Sequence, residues 1–140
     1  MIADPVEPTA RERVGSPVPN HVVTYRFGVP NRRYAAGYHT GQDYAAPTGT
    51  VVVAVRGGTV AWSNDAGGAY GKWIGLRADN GRVYVYCHLS ARGLAAGAKV
   101  VAGDQIGRVG ATGNVTGPHL HFEDHPAGPF KYGEVRAPTW

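Results

Sequence analysis

Trp73-Ile74-Gly75-Leu76-Arg77-Ala78-Asp79-Asn80-Gly81-Arg82-Val83-Tyr84-Val85-Tyr86-Cys87-His88 consists of two apolar runs joined by Asp-Asn-Gly. Asn-Gly readily adopts the positive φ values of a tight turn, so the stretch predicts a β-hairpin. The same pattern recurs outward. Val51–Val55 and Thr59–Trp62 flank Gly57-Gly58 and read as a second hairpin, and Lys99–Val101 and Gln105–Val109 are short strands fenced by glycine. Leu89–Ala96 has the spacing of one helical turn, weakened by Gly93. Short strands between glycine-rich turns predict an all-β domain.

The chain has 140 residues, including 21 Gly and 10 Pro, with 43% hydrophobic and 17% charged residues. That suits one folded domain with many tight turns. Residues 1–20 mix proline, charge and small residues without any period and read as a flexible leader; residues 21–140 read as the folded domain. No apolar run approaches the ~20 residues of a membrane span, and the N-terminus lacks a basic start followed by an apolar segment. The net charge of +4 and pI near 9.4 suit acidic partners such as bacterial wall polymers. The charges are scattered, Arg32-Arg33 being the densest pair, so nucleic-acid binding is not expected. One cysteine rules out an internal disulfide. Cys87 cannot readily meet His88 as a thiol–imidazole pair, because adjacent strand residues point to opposite faces. It reads as a small buried apolar residue.

Four of the six histidines fall into three segments: His39-Thr40-Gly41-Gln42-Asp43, Tyr86-Cys87-His88-Leu89-Ser90 and Pro118-His119-Leu120-His121-Phe122-Glu123. In the last, alternation puts Leu120 and Phe122 on a core face and His119, His121 and Glu123 on the opposite face. In the strand ending at His88, the same rule sends Val83, Val85 and Cys87 to the core and Tyr84, Tyr86 and His88 to the other side. A single histidine is usually structural, but four placed on such faces point to a metal or catalytic site.

His119 and His121, two apart on a strand, have α-carbons about 6.6–6.8 Å apart, so both rings can lean toward one ion. His39 and Asp43 would diverge on a straight strand and need a bend at Thr40-Gly41. If His39, Asp43, His119 and His121 all bind zinc, the site is closed and structural; if three bind, a fourth position stays open for catalysis. Glu123 either orients a ligand from behind or pairs with a basic residue. His21 and His125 read as incidental.

These segments, with Ala45-Ala46-Pro47-Thr48-Gly49-Thr50, Val101-Ala102-Gly103-Asp104-Gln105-Ile106-Gly107 and Gly113-Asn114-Val115-Thr116-Gly117, resemble the lysostaphin-type zinc metallopeptidases of bacterial cell walls. The match runs from about Phe27 to Glu123 in the family's order and is weaker between Val29 and Tyr38. The resemblance implies an antiparallel sheet core with a loop-bounded groove, and one zinc per chain held by His39, Asp43 and His121. It implies His88 and His119 as catalytic histidines that do not bind the metal. It also implies an endopeptidase for peptidoglycan stem peptides or cross-bridges. Tyr34 or Tyr38 could add an oxyanion donor; Tyr84, Tyr86, Asn114 and Thr116 are further expected along the groove. The expected setting is a monomeric phage-type endolysin or virion lytic domain, released by lysis or holin-type export or carried on a virion. A zinc-stabilised wall-binding or tail module without hydrolysis is the alternative.

Overall fold

The computed structural model describes residues 13–140; the part of the expected leader in residues 1–12 lies outside them. The Asp-Asn-Gly turn joins strands β4 (Lys72–Ala78) and β5 (Val83–Arg92) as an antiparallel hairpin. Gly81 takes φ 85° there, and the Ala78 amide donates to the Arg82 carbonyl at 2.8 Å. On the far side of β5 lies β8 (His119–His125), followed by β1 (Gln42–Ala45). On the far side of β4 lie β3 (Gly58–Asn64) and β6 (Lys99–Val100). β7 (Gln105–Val109) pairs with the last part of β5 and with β2 (Val51–Val53). Every pairing is antiparallel, and among the described residues the sole helical element is the 3₁₀ turn Gly68–Tyr70.

Three local expectations are corrected. The two valine-rich runs around Gly57-Gly58 do not pair with each other: β2 pairs with β7, and β3 with β4 and β6. A Cβ at Gly58 would lie 2.2 Å from the Arg77 carbonyl oxygen, so this glycine serves a close backbone approach rather than a two-residue turn. Leu89–Ala96 is not helical, because Leu89, Ala91 and Arg92 pair with β7. The leader does not extend to residue 20. Val53 N–H donates to the Pro17 carbonyl (2.9 Å), and Val18 is fully buried in the core.

Both faces of the central strands are covered. One buries Tyr44, Ile74, Leu76, Tyr84, Tyr86, Leu120 and Phe122 in the main core, with the Tyr84 and Phe122 rings stacked at 5.6 Å. The other carries Val83, Val85 and Cys87 beneath Trp62, Tyr70, Trp73 and Phe130. Tyr84 and Tyr86 are therefore core residues, correcting their expected place in a groove. Their hydroxyls are occupied inside: Tyr84 donates to the Thr139 carbonyl (2.6 Å) and Tyr86 accepts from the Val55 amide (3.0 Å). Burial of Cys87 agrees with the sequence.

Candidate active site

Strand register assembles the site. Antiparallel pairing sets Asp43 of β1 opposite His121 of β8, and Cys87 of β5 opposite His121 on its other side. Cross-strand partners share a face, so His121 stands between Cys87 and Asp43. The expected bend before β1 is present. A Cβ on Gly41 would lie 2.3 Å from the Phe122 carbonyl oxygen, so glycine lets the chain cross β8 closely and turn His39 back toward Asp43.

His39 Nε2 lies 3.1 Å from Asp43 Oδ1, and His121 Nδ1 lies 2.8 Å from the same oxygen. One ligand atom from each residue falls within 4.8 Å of the other two. The far nitrogen of each ring is engaged: His39 Nδ1–H donates to the Arg26 carbonyl (2.9 Å), and His121 Nε2–H to Glu123 Oε2 (2.7 Å). Those bonds turn the lone pairs of His39 Nε2 and His121 Nδ1 toward Asp43, as metal ligation requires. Two imidazoles and one carboxylate fit zinc and leave a fourth position open.

The electrostatics favour a cation at the same point. Burial alone would raise the Asp43 pKa, but hydrogen bonds from His121 and His39 overturn this and hold it well below the usual carboxylate range. Burial alone would lower that of His121, yet its bonds to Asp43 and Glu123 raise it to about 9. A positive charge at His121 Nδ1 is stabilised, and there a proton and a metal ion would compete.

His88 and His119 stand beside this trio, their ring centroids 4.9 Å apart, and His88 lies 5.9 Å from the His121 ring. His88 reaches the site by breaking strand alternation. Its φ is 63°, an uncommon conformation for a non-glycine residue and one that often marks function. Cys87 packs with Val83 and Val85, whereas Leu89 joins the cluster of Tyr86, so the parity of β5 switches at His88. His88 Nδ1–H donates to the Thr112 carbonyl (2.8 Å) and His119 Nδ1–H to the Gly117 carbonyl (2.9 Å). The Nε2 of His88 is left for chemistry, and that of His119 lies 3.7 Å from Asp43 Oδ2. Burial lowers the His88 pKa to about 4, so it is a neutral proton acceptor near pH 7.

The remaining expected residues divide. The Tyr34 ring lies 5.7 Å from that of His39, and burial, with Tyr25 and Asp43 nearby, raises its pKa to about 12. Tyr38 instead packs edge-on against Phe27 and its hydroxyl donates to the Gly133 carbonyl (3.5 Å). Asn114 and Thr116 are exposed in the loop between β7 and β8. Glu123 is fully buried, and so is His125, which donates from Nε2 to Glu123 Oε1 (2.7 Å) and is not incidental. Sequence reasoning missed Tyr25, its ring tilted against that of His39 at 4.2 Å, and Tyr70, stacked 5.9 Å from that of His121. Neither lies in a periodic run. His125 was legible, since alternation places it on the face of His121 and Glu123.

This antiparallel sheet brings together a donor set that could hold a metal ion and, beside it, two further imidazoles. A family model described as peptidase family M23 matches residues 37–130, and the chain belongs to that family. The DD-carboxypeptidase/endopeptidase Mpg of Neisseria meningitidis is 40% identical over 118 residues, covering 84% of this chain and 25% of that protein. The peptidoglycan DD-endopeptidase ShyC of Vibrio cholerae is 42% identical over 87 residues, covering 61% of this chain and 19% of that protein. The catalytic domain of the antimicrobial peptidase lysostaphin from Staphylococcus simulans matches with a TM-score of 0.79 at 31% identity, over 86% of this chain and 91% of that one. The chain thus spans a quarter or less of these two curated relatives and nearly the whole of a solved catalytic domain.

Proposed function

We propose that the protein is a zinc-dependent endopeptidase that hydrolyses peptide bonds in peptidoglycan stem peptides or cross-bridges. The observation that carries this reading is the convergence of His39 Nε2, Asp43 and His121 Nδ1 beside two imidazoles whose Nδ1 is tied to a backbone carbonyl. Names among the relatives support the substrate class, ShyC being a peptidoglycan DD-endopeptidase. So does the basic chain, which suits an acidic wall.

His39, Asp43 and His121 would hold the zinc, one ion per chain. Zinc bound there would polarise the scissile carbonyl and acidify the attacking water. His88 and His119 are the catalytic residues: a neutral Nε2 accepts the water's proton, and an imidazolium returns one to the leaving amine. His119 is the more open of the two, half-buried where His88 is buried. The phenol of Tyr34, kept protonated up to about pH 12, would donate to the developing oxyanion. Asn114 and Thr116 would border the substrate on the loop before β8.

The setting that accords with a small basic wall-active domain is a monomeric phage-type endolysin or virion lytic domain, reaching the wall through lysis, holin-type export or a virion. Among the described residues no helix is long and apolar enough to cross a membrane. Incubation with purified peptidoglycans of different cross-bridge chemistry, followed by mass spectrometry, tests the activity and names the bond. The expected result is release of new amino termini, abolished by chelation and restored by zinc. Binding to the wall without any new terminus would identify a wall-binding module instead.

A further inference from the structure

We propose that Glu123 is a positioning residue that balances the charge of the metal centre and fixes the orientation of His121, and that His125 holds Glu123 in place. The inference rests on the zinc reading above and extends it to the residues behind the ligands.

Glu123 has no exposed surface. Its Oε2 accepts from His121 Nε2 at 2.7 Å, from the Thr40 hydroxyl at 2.6 Å and from the Tyr70 hydroxyl at 2.8 Å. Its Oε1 accepts from His125 Nε2 at 2.7 Å. The four donors come from β8, the bend before β1 and the 3₁₀ turn, so three separate segments converge on one carboxylate. Together these four bonds use the roughly four acceptor sites that an ionised carboxylate offers. Glu123 is therefore an anion, shielded from water and substrate alike, and unsuited to act as the base.

A buried anion calls for a compensating charge, yet no Lys or Arg among the described residues forms an ion pair with Glu123. The centre itself can supply the charge. A divalent ion with ionised Asp43 and two neutral imidazoles carries one net positive charge, and Glu123 cancels it. Geometry points the same way. His121 can offer Nδ1 to a metal only with its proton on Nε2, and Glu123 Oε2 is the acceptor that keeps it there.

His125 explains itself through the same carboxylate. Its Nδ1 is buried with no hydrogen-bond partner among the described residues, and its ring packs 4.7 Å from that of Phe130. An apolar side chain would fit those surroundings without leaving a polar atom unpaired. What it could not supply is the donor to Glu123 Oε1.

Zinc affinity, read by competition with a chromophoric chelator, tests the proposal on the parent, Glu123→Gln, His125→Leu and His125→Gln, with folding checked by circular dichroism. Glu123→Gln should bind zinc about 10–100-fold more weakly, the usual effect of removing a partner behind a ligand. His125→Leu should weaken binding by a smaller factor, and His125→Gln, which keeps an N–H donor, should recover part of that loss. Equal affinity in the parent and Glu123→Gln would overturn this inference alone. A parent protein that takes up no zinc would overturn the zinc reading and this inference with it. Should Glu123→Gln fail to fold, the His125 pair decides: affinities of His125→Leu and His125→Gln both equal to the parent's would overturn it.

Discussion

Strands β5 and β8 lie side by side in register, yet one declares its function in the sequence and the other conceals it. Along β8, apolar Leu120 and Phe122 alternate with His119, His121, Glu123 and His125, so the face bearing chemistry is obvious. Along β5, Val83, Val85 and Cys87 alternate with Tyr84 and Tyr86, and both sets are buried. Where each face of a strand is covered, alternation divides the residues correctly but cannot say which half meets the site. The tyrosines carry hydroxyls and the valines do not, which suggested the wrong half. Then β5 abandons alternation at His88, where φ turns positive.

Phe122 touches Tyr84, Tyr86 and Trp140, so the largest effect is expected on the core side of β8. Phe122→Ala should cost about 3–5 kcal/mol of unfolding free energy, measured by denaturant titration. A loss no greater than that of an exposed site would mean that this face is not the core.

The turn in β5 at His88 can be broken from outside. A Cβ on Gly110 would lie 2.4 Å from the Ser90 amide nitrogen and 2.8 Å from the His88 carbonyl oxygen. Gly110→Ala should therefore shift His88 and lower kcat/KM on peptidoglycan by about 10²-fold, the cost of misplacing a catalytic group by roughly 1 Å. Its zinc content should stay at the parent's level, since none of the three ligands is touched.

Acid sharpens the contrast. Burial holds the His88 pKa at about 4, below its ordinary 6.5. A folded-state value below the unfolded one gives stability that is complete above about pH 6.5 and lost as pH falls toward 4. Replacing His88 by Asn, which tolerates positive φ, should flatten that part of the profile of denaturation midpoint against pH. An unchanged slope would show that His88 is not held neutral by the fold.

The smallest effect belongs to the tyrosines. Tyr86→Phe leaves the buried Val55 amide without its acceptor and should cost about 1–3 kcal/mol in stability, with kcat/KM unchanged. A drop in kcat/KM with stability intact would return Tyr86 to the groove.

These residues show what the sequence carried and what it could not. The hairpin at Asn80-Gly81, strand β7, the bend at Thr40-Gly41 and the polar face of β8 were legible, because each depends on local conformation or on two-residue periodicity. Two features were not: the partners of β2 and β3, chosen by pairings distant along the chain, and the burial of Val18. The tether on His88 was hidden for another reason. It is a backbone carbonyl, that of Thr112, and no residue type announces it.

The central claim is that the site shared by β1, β8 and His88 of β5 separates metal ligands from catalysts. Zinc content and peptidoglycan-hydrolysing rate, measured together on His121→Ala, His119→Ala and His88→Asn, test it most directly. His121→Ala should lose both zinc and activity. His119→Ala and His88→Asn should each keep one equivalent of zinc while losing about 10²–10⁴-fold in rate, the usual worth of a general acid or base. Loss of zinc from His119→Ala, in a parent protein that hydrolyses nothing, would show instead a closed four-ligand structural site and contradict the account.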